Sequence, residues 1–129
     1  MSAFSDALNV TAAGLKAQAT RLRLVSENIA NADTPGFRRK SAPFKLEQGE
    51  GTLDLVKTGR VQFDRSDLEL IYDPSHPLAD ESGHYEGSNV ELVIEIADAR
   101  EAQRSYEANL KMFDQTRQMS SSLMELLRR

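Results

Sequence analysis

Asp73, Ser75 and His76 fall within four consecutive positions, and Asp80, Glu81 and His84 follow within the next eight. The first three are the residue types of a nucleophilic triad. In such a triad the carboxylate orients the imidazole and the imidazole takes the hydroxyl proton, so the members converge from separate elements to hydrogen-bond distance. Three members in four positions, split by Pro74, do not readily reach that geometry. His76, Asp80, Glu81 and His84 are types that hold metals, but their spacing matches no standard ligand pattern. Asp, Ser and Pro are also the residues that build turns. The expectation is therefore a solvated acidic loop from Asp73 to Ser88 with no catalytic role, metal, cofactor or small-molecule substrate. Its length marks it as a functional surface, with Asp73, Pro74, His76 and Pro77 as its candidate positions.

Composition removes other classes. The 129 residues contain no cysteine, which excludes disulfides, thiolate zinc sites, iron–sulfur clusters and thiol catalysis. No tryptophan, eight aromatics and a net charge of −4 argue against nucleic acid as a partner. No apolar run is long enough to insert into a membrane as a helix. The start, Met1-Ser2-Ala3-Phe4-Ser5-Asp6, lacks a basic region followed by an apolar core, so no cleavable signal peptide is expected.

The elements that must position any surface are marked by punctuation. All four prolines, and every glycine but Gly14, lie between Pro35 and Gly87. Charge divides in the same way: +3 over residues 1–40, −6 over 41–89 and −1 over 90–129. Two long helical ends around a turn-rich centre are expected.

In the N-terminal flank Leu8, Leu15, Leu22 and Ile29 recur every seven residues, with Phe4, Thr11, Gln18 and Val25 between them. This is a coiled-coil seam over a helix of roughly residues 3–31, with alanines allowing close approach. In the C-terminal flank Leu92, Ile96, Ala99, Gln103, Tyr106, Leu110 and Phe113 repeat the 4–3 spacing, which drifts to Met119, Leu123 and Leu126. Asn89 is a candidate N-cap, Glu91 and Glu95 suit the positive first turns, and Arg128 and Arg129 suit the other end. The seams fit either an intramolecular αα-hairpin or intermolecular bundling, because heptads do not name their partner.

The centre reads as short strands. Leu53-Asp54-Leu55 and Val61-Gln62-Phe63 are expected to form a hairpin around Lys57-Thr58-Gly59-Arg60, with Leu68-Glu69-Leu70-Ile71-Tyr72 as a third strand. The basic cluster Arg38-Arg39-Lys40 is too small to bind nucleic acid and suits contact with an acidic neighbour, such as the centre of another copy.

Residues 26–40 are the most specific run. Asn31 and Asp33 compete with helical hydrogen bonding, Pro35 drives Thr34 out of helical geometry, and Pro35-Gly36 suits the central pair of a type II turn. Within it, Asn28-Ile29-Ala30-Asn31-Ala32-Asp33-Thr34-Pro35-Gly36-Phe37-Arg38 resembles the signature of the bacterial flagellar basal-body rod and hook family. Tyr72-Asp73-Pro74-Ser75-His76-Pro77-Leu78-Ala79-Asp80 and Arg104-Ser105-Tyr106-Glu107-Ala108-Asn109 are similar to a proximal rod member of that family.

The resemblance implies a non-catalytic structural subunit of the periplasm-spanning rod. It would be exported unfolded through the flagellar type III apparatus without a cleavable signal. Its partners would be other copies of itself, other rod proteins, and the base of the basal body with its export apparatus. The fold expected is mainly α with a small β-rich insert: a coiled-coil helix at 1–34, a β- and turn-rich domain at 35–88, and a second coiled-coil helix at 89–129. The two helices would line an export channel and the rod would carry torque. Heptads buried only on assembly leave the isolated chain with partly disordered ends. The alternatives are a generic coiled-coil adaptor or another axial subunit of hook or distal-rod type.

Overall fold

A computed structural model describes residues 3–49, 51 and 53–128. Met1, Ser2 and Arg129, each used above, lie outside the described residues. Helix α1 spans Ala3–Ala30 and helix α2 spans Leu92–Arg128. Between them are six short strands: β1 Lys40–Ser41, β2 Phe44–Gln48, β3 Asp54–Thr58, β4 Gln62–Phe63, β5 Leu70–Tyr72 and β6 His84–Glu86. The chain is mainly helical with a small β insert, as expected. No described helix is long and apolar enough to cross a membrane.

The helices run antiparallel. Asn28 of α1 meets Glu95 of α2, Arg21 meets Asp98 and Glu101, and Gly14 lies against Asn109. This pairing is the intramolecular αα-hairpin. A Cβ on Gly14 would come within 3.0 Å of the Asn109 side chain, so the two helices approach closely at this glycine. Ribbon β2–β3 packs on α1, where Ala13, Lys16 and Ala17 meet Val56, Lys57 and Thr58.

The centre corrects the expected strand pairing. There is no three-stranded sheet and no hairpin joining 53–55 to 61–63 among the described residues. Instead three separate antiparallel ribbons form: β1 with β4, β2 with β3, and β5 with β6. The segment 44–48, FKLEQ, pairs residue for residue with 54–58. It alternates in type but is exposed along its whole length, so its strand is held by the ladder rather than by a buried face. The supposed 73–88 loop also contains a strand, β6, which folds back on β5 with Ile71 opposite Tyr85.

The helix start is corrected as well. Helix α2 begins at Leu92, and the Asn89 side chain does not cap it. It accepts the Arg39 backbone N–H at 2.7 Å and donates to the Asp64 and Ser66 carbonyls at 3.0 and 3.3 Å. At the other end of α1 the expected stop is present. Thr34 accepts the Phe37 N–H at 3.2 Å, and Gly36 has φ +76°, which is the type II turn with Pro35 and Gly36 at its centre.

Candidate functional site

The α1 stop and the α2 start are joined by a polar clamp. Asn28, the first residue of the eleven-residue signature, is fully buried. Its amide mimics a strand partner: Oδ1 accepts the Lys40 N–H and Nδ2 donates to the Lys40 carbonyl, both at 2.8 Å. The same Nδ2 lies 3.4 Å from one carboxylate oxygen of Glu95, which is also fully buried. The other Glu95 oxygen receives Arg39 Nε. Arg39 donates again to Asp98 at 3.2 Å, and Arg21 continues the chain of charge to Asp98 at 3.5 Å and Glu101 at 3.4 Å. Burial works against the Arg39 charge, but the Glu95 hydrogen bond and the nearby carboxylates outweigh it and raise the Arg39 pKa.

The rest of the signature holds the turn. Asn31 Nδ2 donates to the Glu27 carbonyl at 2.8 Å, closing the last turn of α1, and Asn31 Oδ1 accepts the Thr34 hydroxyl at 3.1 Å. Gly36 N–H reaches the Glu86 and Gly87 carbonyls at 3.2 and 3.0 Å, docking the turn on the end of β6. Ser88 adds a hydroxyl bond to the Ala32 carbonyl. Ile29, Pro35 and Phe37 are half-buried around this junction, while Ala30 and Thr34 are exposed.

These bonds also account for the basic cluster, and they correct its expected role. Arg38 donates to the Asp64 and Ser66 carbonyls at 3.2 and 2.9 Å, Arg39 serves Glu95, and Lys40 pairs with Glu27 at 3.2 Å. The cluster is spent inside the chain rather than held out to an acidic neighbour. Sequence reasoning missed the burial of Glu95, reading it only as an acid suited to the positive first turns of the helix. The signal was present: a carboxylate set between Ile94 and Ile96 in LVIEIA, where one turn of helix is otherwise apolar.

The loop candidates form two linked turns. Asp73 accepts the Ser75 hydroxyl at 2.7 Å, and its backbone N–H binds the Gly83 carbonyl at 2.9 Å. His76 turns away from Ser75. Its ring stacks on Tyr85 at 3.9 Å, and its Nδ1 accepts the Leu78 N–H at 3.1 Å. With the Ser75 proton given to a carboxylate and the His76 nitrogen given to the backbone, this arrangement is a turn and not a nucleophile with its base. Pro74 and Pro77 are exposed within it. Asp80 repeats the device, accepting the Ser82 hydroxyl at 2.6 Å and the His84 N–H at 3.1 Å, and these bonds lower its pKa. Among the described residues no three His, Asp or Glu side chains converge as a metal would require.

On α2 the apolar stripe lies beside the buried positions, whereas on α1 the seam residues Thr11 and Val25 are themselves buried. On α1 the buried residues are Thr11, Ala17, Leu24, Val25 and Asn28, whereas Phe4, Leu8, Leu15, Leu22 and Ile29 are half-buried. On α2 the buried residues are Glu95 and Ala102, with Tyr106 and Phe113 half-buried. Leu92, Ile96, Leu110 and Leu123 stay 41–46% exposed. One step along a helix turns a side chain by about 100°, so a contact line one residue out of step leaves the stripe on an adjoining face. Among the described residues the buried apolar side chains are then only Ala17, Leu24, Val25 and Ala102. The accessible surface is 9380 Å², about 2,500 Å² above that of a compact monomer of this mass.

A chain with two long helices, a signature-bearing turn between helix and strands, and open apolar stripes is built for assembly, and comparison with known proteins agrees. Residues 8–38 match the model described as "Flagella basal body rod protein", and residues 81–126 match "Flagellar basal body rod FlgEFG protein C-terminal". The chain belongs to the flagellar basal-body rod protein family, whose members are structural proteins of the bacterial flagellum and not enzymes. Within it, the similarity is to FlgC. The "Flagellar basal-body rod protein FlgC" of Agrobacterium fabrum is 44% identical over 99% of this chain and 98% of its own length. The FlgC proteins of Aquifex aeolicus and Salmonella typhimurium are 34% and 29% identical over 93% and 96% of this chain, and over 94% and 98% of theirs.

Proposed function

We propose that this chain is a subunit of the proximal rod, assembling with copies of itself and with other rod proteins above the base of the basal body and its export apparatus. Residues 1–34 and 89–129 act as the inner helical layer, facing the export channel, and residues 35–88 act as the outer layer. The observation that carries this reading is the uncovered apolar face of α2. Leu92, Val93, Ile96 and Leu110 are exposed by 41–83% beside a contact line of smaller and polar residues. Apolar area of this extent on a subunit gains its burial from neighbours.

Torque passes through many packed side chains, because each subunit meets its neighbours along tens of ångströms of helix. The polar clamp keeps the outer layer in fixed relation to the inner one, so a load on either is transmitted to the other. The chain travels to the rod unfolded through the export apparatus. A cysteine-free sequence suits this route, since no thiol must be kept reduced along it.

The test is genetic and biochemical. Cells lacking the chain should be non-motile and yield basal bodies without a complete rod, and a tagged copy should restore both and co-purify with the rod. Motile cells with intact rods in its absence would defeat the proposal. A generic coiled-coil adaptor would instead form a stable oligomer alone, visible by light scattering.

A further inference from the structure

Residues 66–99 contain nine carboxylates and no lysine or arginine. Five of these, Glu69, Asp73, Asp80, Glu81 and Glu86, lie on or beside the β5–β6 hairpin and its connection. Among the described residues none of the five is paired with a lysine or arginine. The same hairpin exposes Leu70, Tyr72 and Leu78 by 63–66%. It is an acidic surface with an apolar component.

The outer face of α2 has the opposite character. Arg100 and Arg104 are exposed, stand one turn apart and pair with no carboxylate among the described residues. Like charges at this spacing repel along a helix, so the pair is relieved by an incoming anion. With Glu101, they border a shallow groove of about 560 Å³ floored by Val93, Ile96 and Ala97. Within one copy, the hairpin is tied at its base by the Gly36 N–H to the Glu86 and Gly87 carbonyls, and none of its residues lines this groove.

We propose that in the rod the β5–β6 hairpin of a second copy lies in this α2 groove. Its carboxylates face Arg100 and Arg104, and its apolar side chains cover Val93 and Ile96. The inference rests on the rod reading and names one contact within it. A single ribbon against one helix face is a small interface, so the contact is weak between two free subunits and is populated where neighbours are already held side by side. Its charge match gives it direction and salt sensitivity.

A cysteine-free chain makes the test unambiguous. Two differently tagged full-length chains, one Ala97→Cys and the other Pro77→Cys, are expressed together in motile cells, and purified basal bodies are treated with a short bismaleimide. The contact predicts a cross-linked pair carrying both tags. Adding Arg100→Glu and Arg104→Glu to the first chain should lower its yield about fivefold, and Glu81→Lys with Glu86→Lys on the second should restore it. Assembled rods in which the pair is absent, or indifferent to both charge changes, would overturn the contact and leave the rod reading intact. Failure of even the tagged, otherwise unaltered chain to enter rods would overturn both.

Discussion

Glu95 and Arg39, 56 positions apart, form a charge-assisted pair at the base of the helix hairpin, and the Glu95 side chain is wholly removed from solvent. Removing one partner of such a pair strands the other charge in the interior, which costs far more than the pair itself is worth. Arg39→Ala should therefore destabilise the chain by about 3 kcal/mol in chemical denaturation, while Glu95→Gln, which keeps hydrogen-bonding capacity without a charge, should cost less.

Asn28 satisfies both backbone groups of Lys40 from one side chain. Asn28→Ala leaves those groups without their partner beside a buried carboxylate, so a loss of about 1–3 kcal/mol is expected. Asn28→Asp should be worse than Asn28→Gln, because it replaces the amide that donates to Glu95 with a second carboxylate. Thermal unfolding of the three variants gives the order directly.

Gly14 sits mid-helix, where alanine would ordinarily be preferred by up to about 1 kcal/mol. Here the Asn109 side chain occupies the space a larger residue would take. Gly14→Val should destabilise by about 1–3 kcal/mol, and combining it with Asn109→Ala should recover part of the loss. Additive losses in the double-mutant cycle would show that the two helices do not meet at this point.

Three carboxyls are held below their ordinary range: Asp80 by the Ser82 hydroxyl and the His84 N–H, Asp64 by the Ser66 N–H and hydroxyl, and Glu27 chiefly by the Lys40 ammonium. A carboxyl with a depressed native pKa binds fewer protons folded than unfolded. Its stabilisation is present at neutral pH and is lost as pH falls through and below the ordinary carboxylate range. The melting temperature should be flat near neutrality and fall on acidification, and Asp80→Asn should make that fall shallower.

The helices were legible because periodicity and the absence of proline are local signals. Helix α1 ends at Ala30, where Asn31, Asp33 and Pro35 demand it. The strand pairing was not legible. FKLEQ and HYE have no buried face, so no hydrophobic alternation sets their partners, and pairing depends on the ladder and on turns at Gly51 and Gly83, both with positive φ. The α2 stripe was visible as a stripe, but its direction was not, because a heptad does not state which neighbour it faces. In the sequence Arg39 belongs to a basic cluster suited to an acidic neighbour and Glu95 to the positive first turns of a helix, and only the fold brings these residues, 56 apart, together.

The central claim is that the helical layer is completed by neighbouring subunits, and amide hydrogen exchange measures it most directly. In the isolated chain, exchange over residues 3–30 and 92–127 should be fast, slowest near the clamp at Asn28 and Glu95. In the assembled rod the same amides should be slowed by orders of magnitude along the full helices. Equally strong protection of both helices in the isolated chain and in the rod would contradict the account.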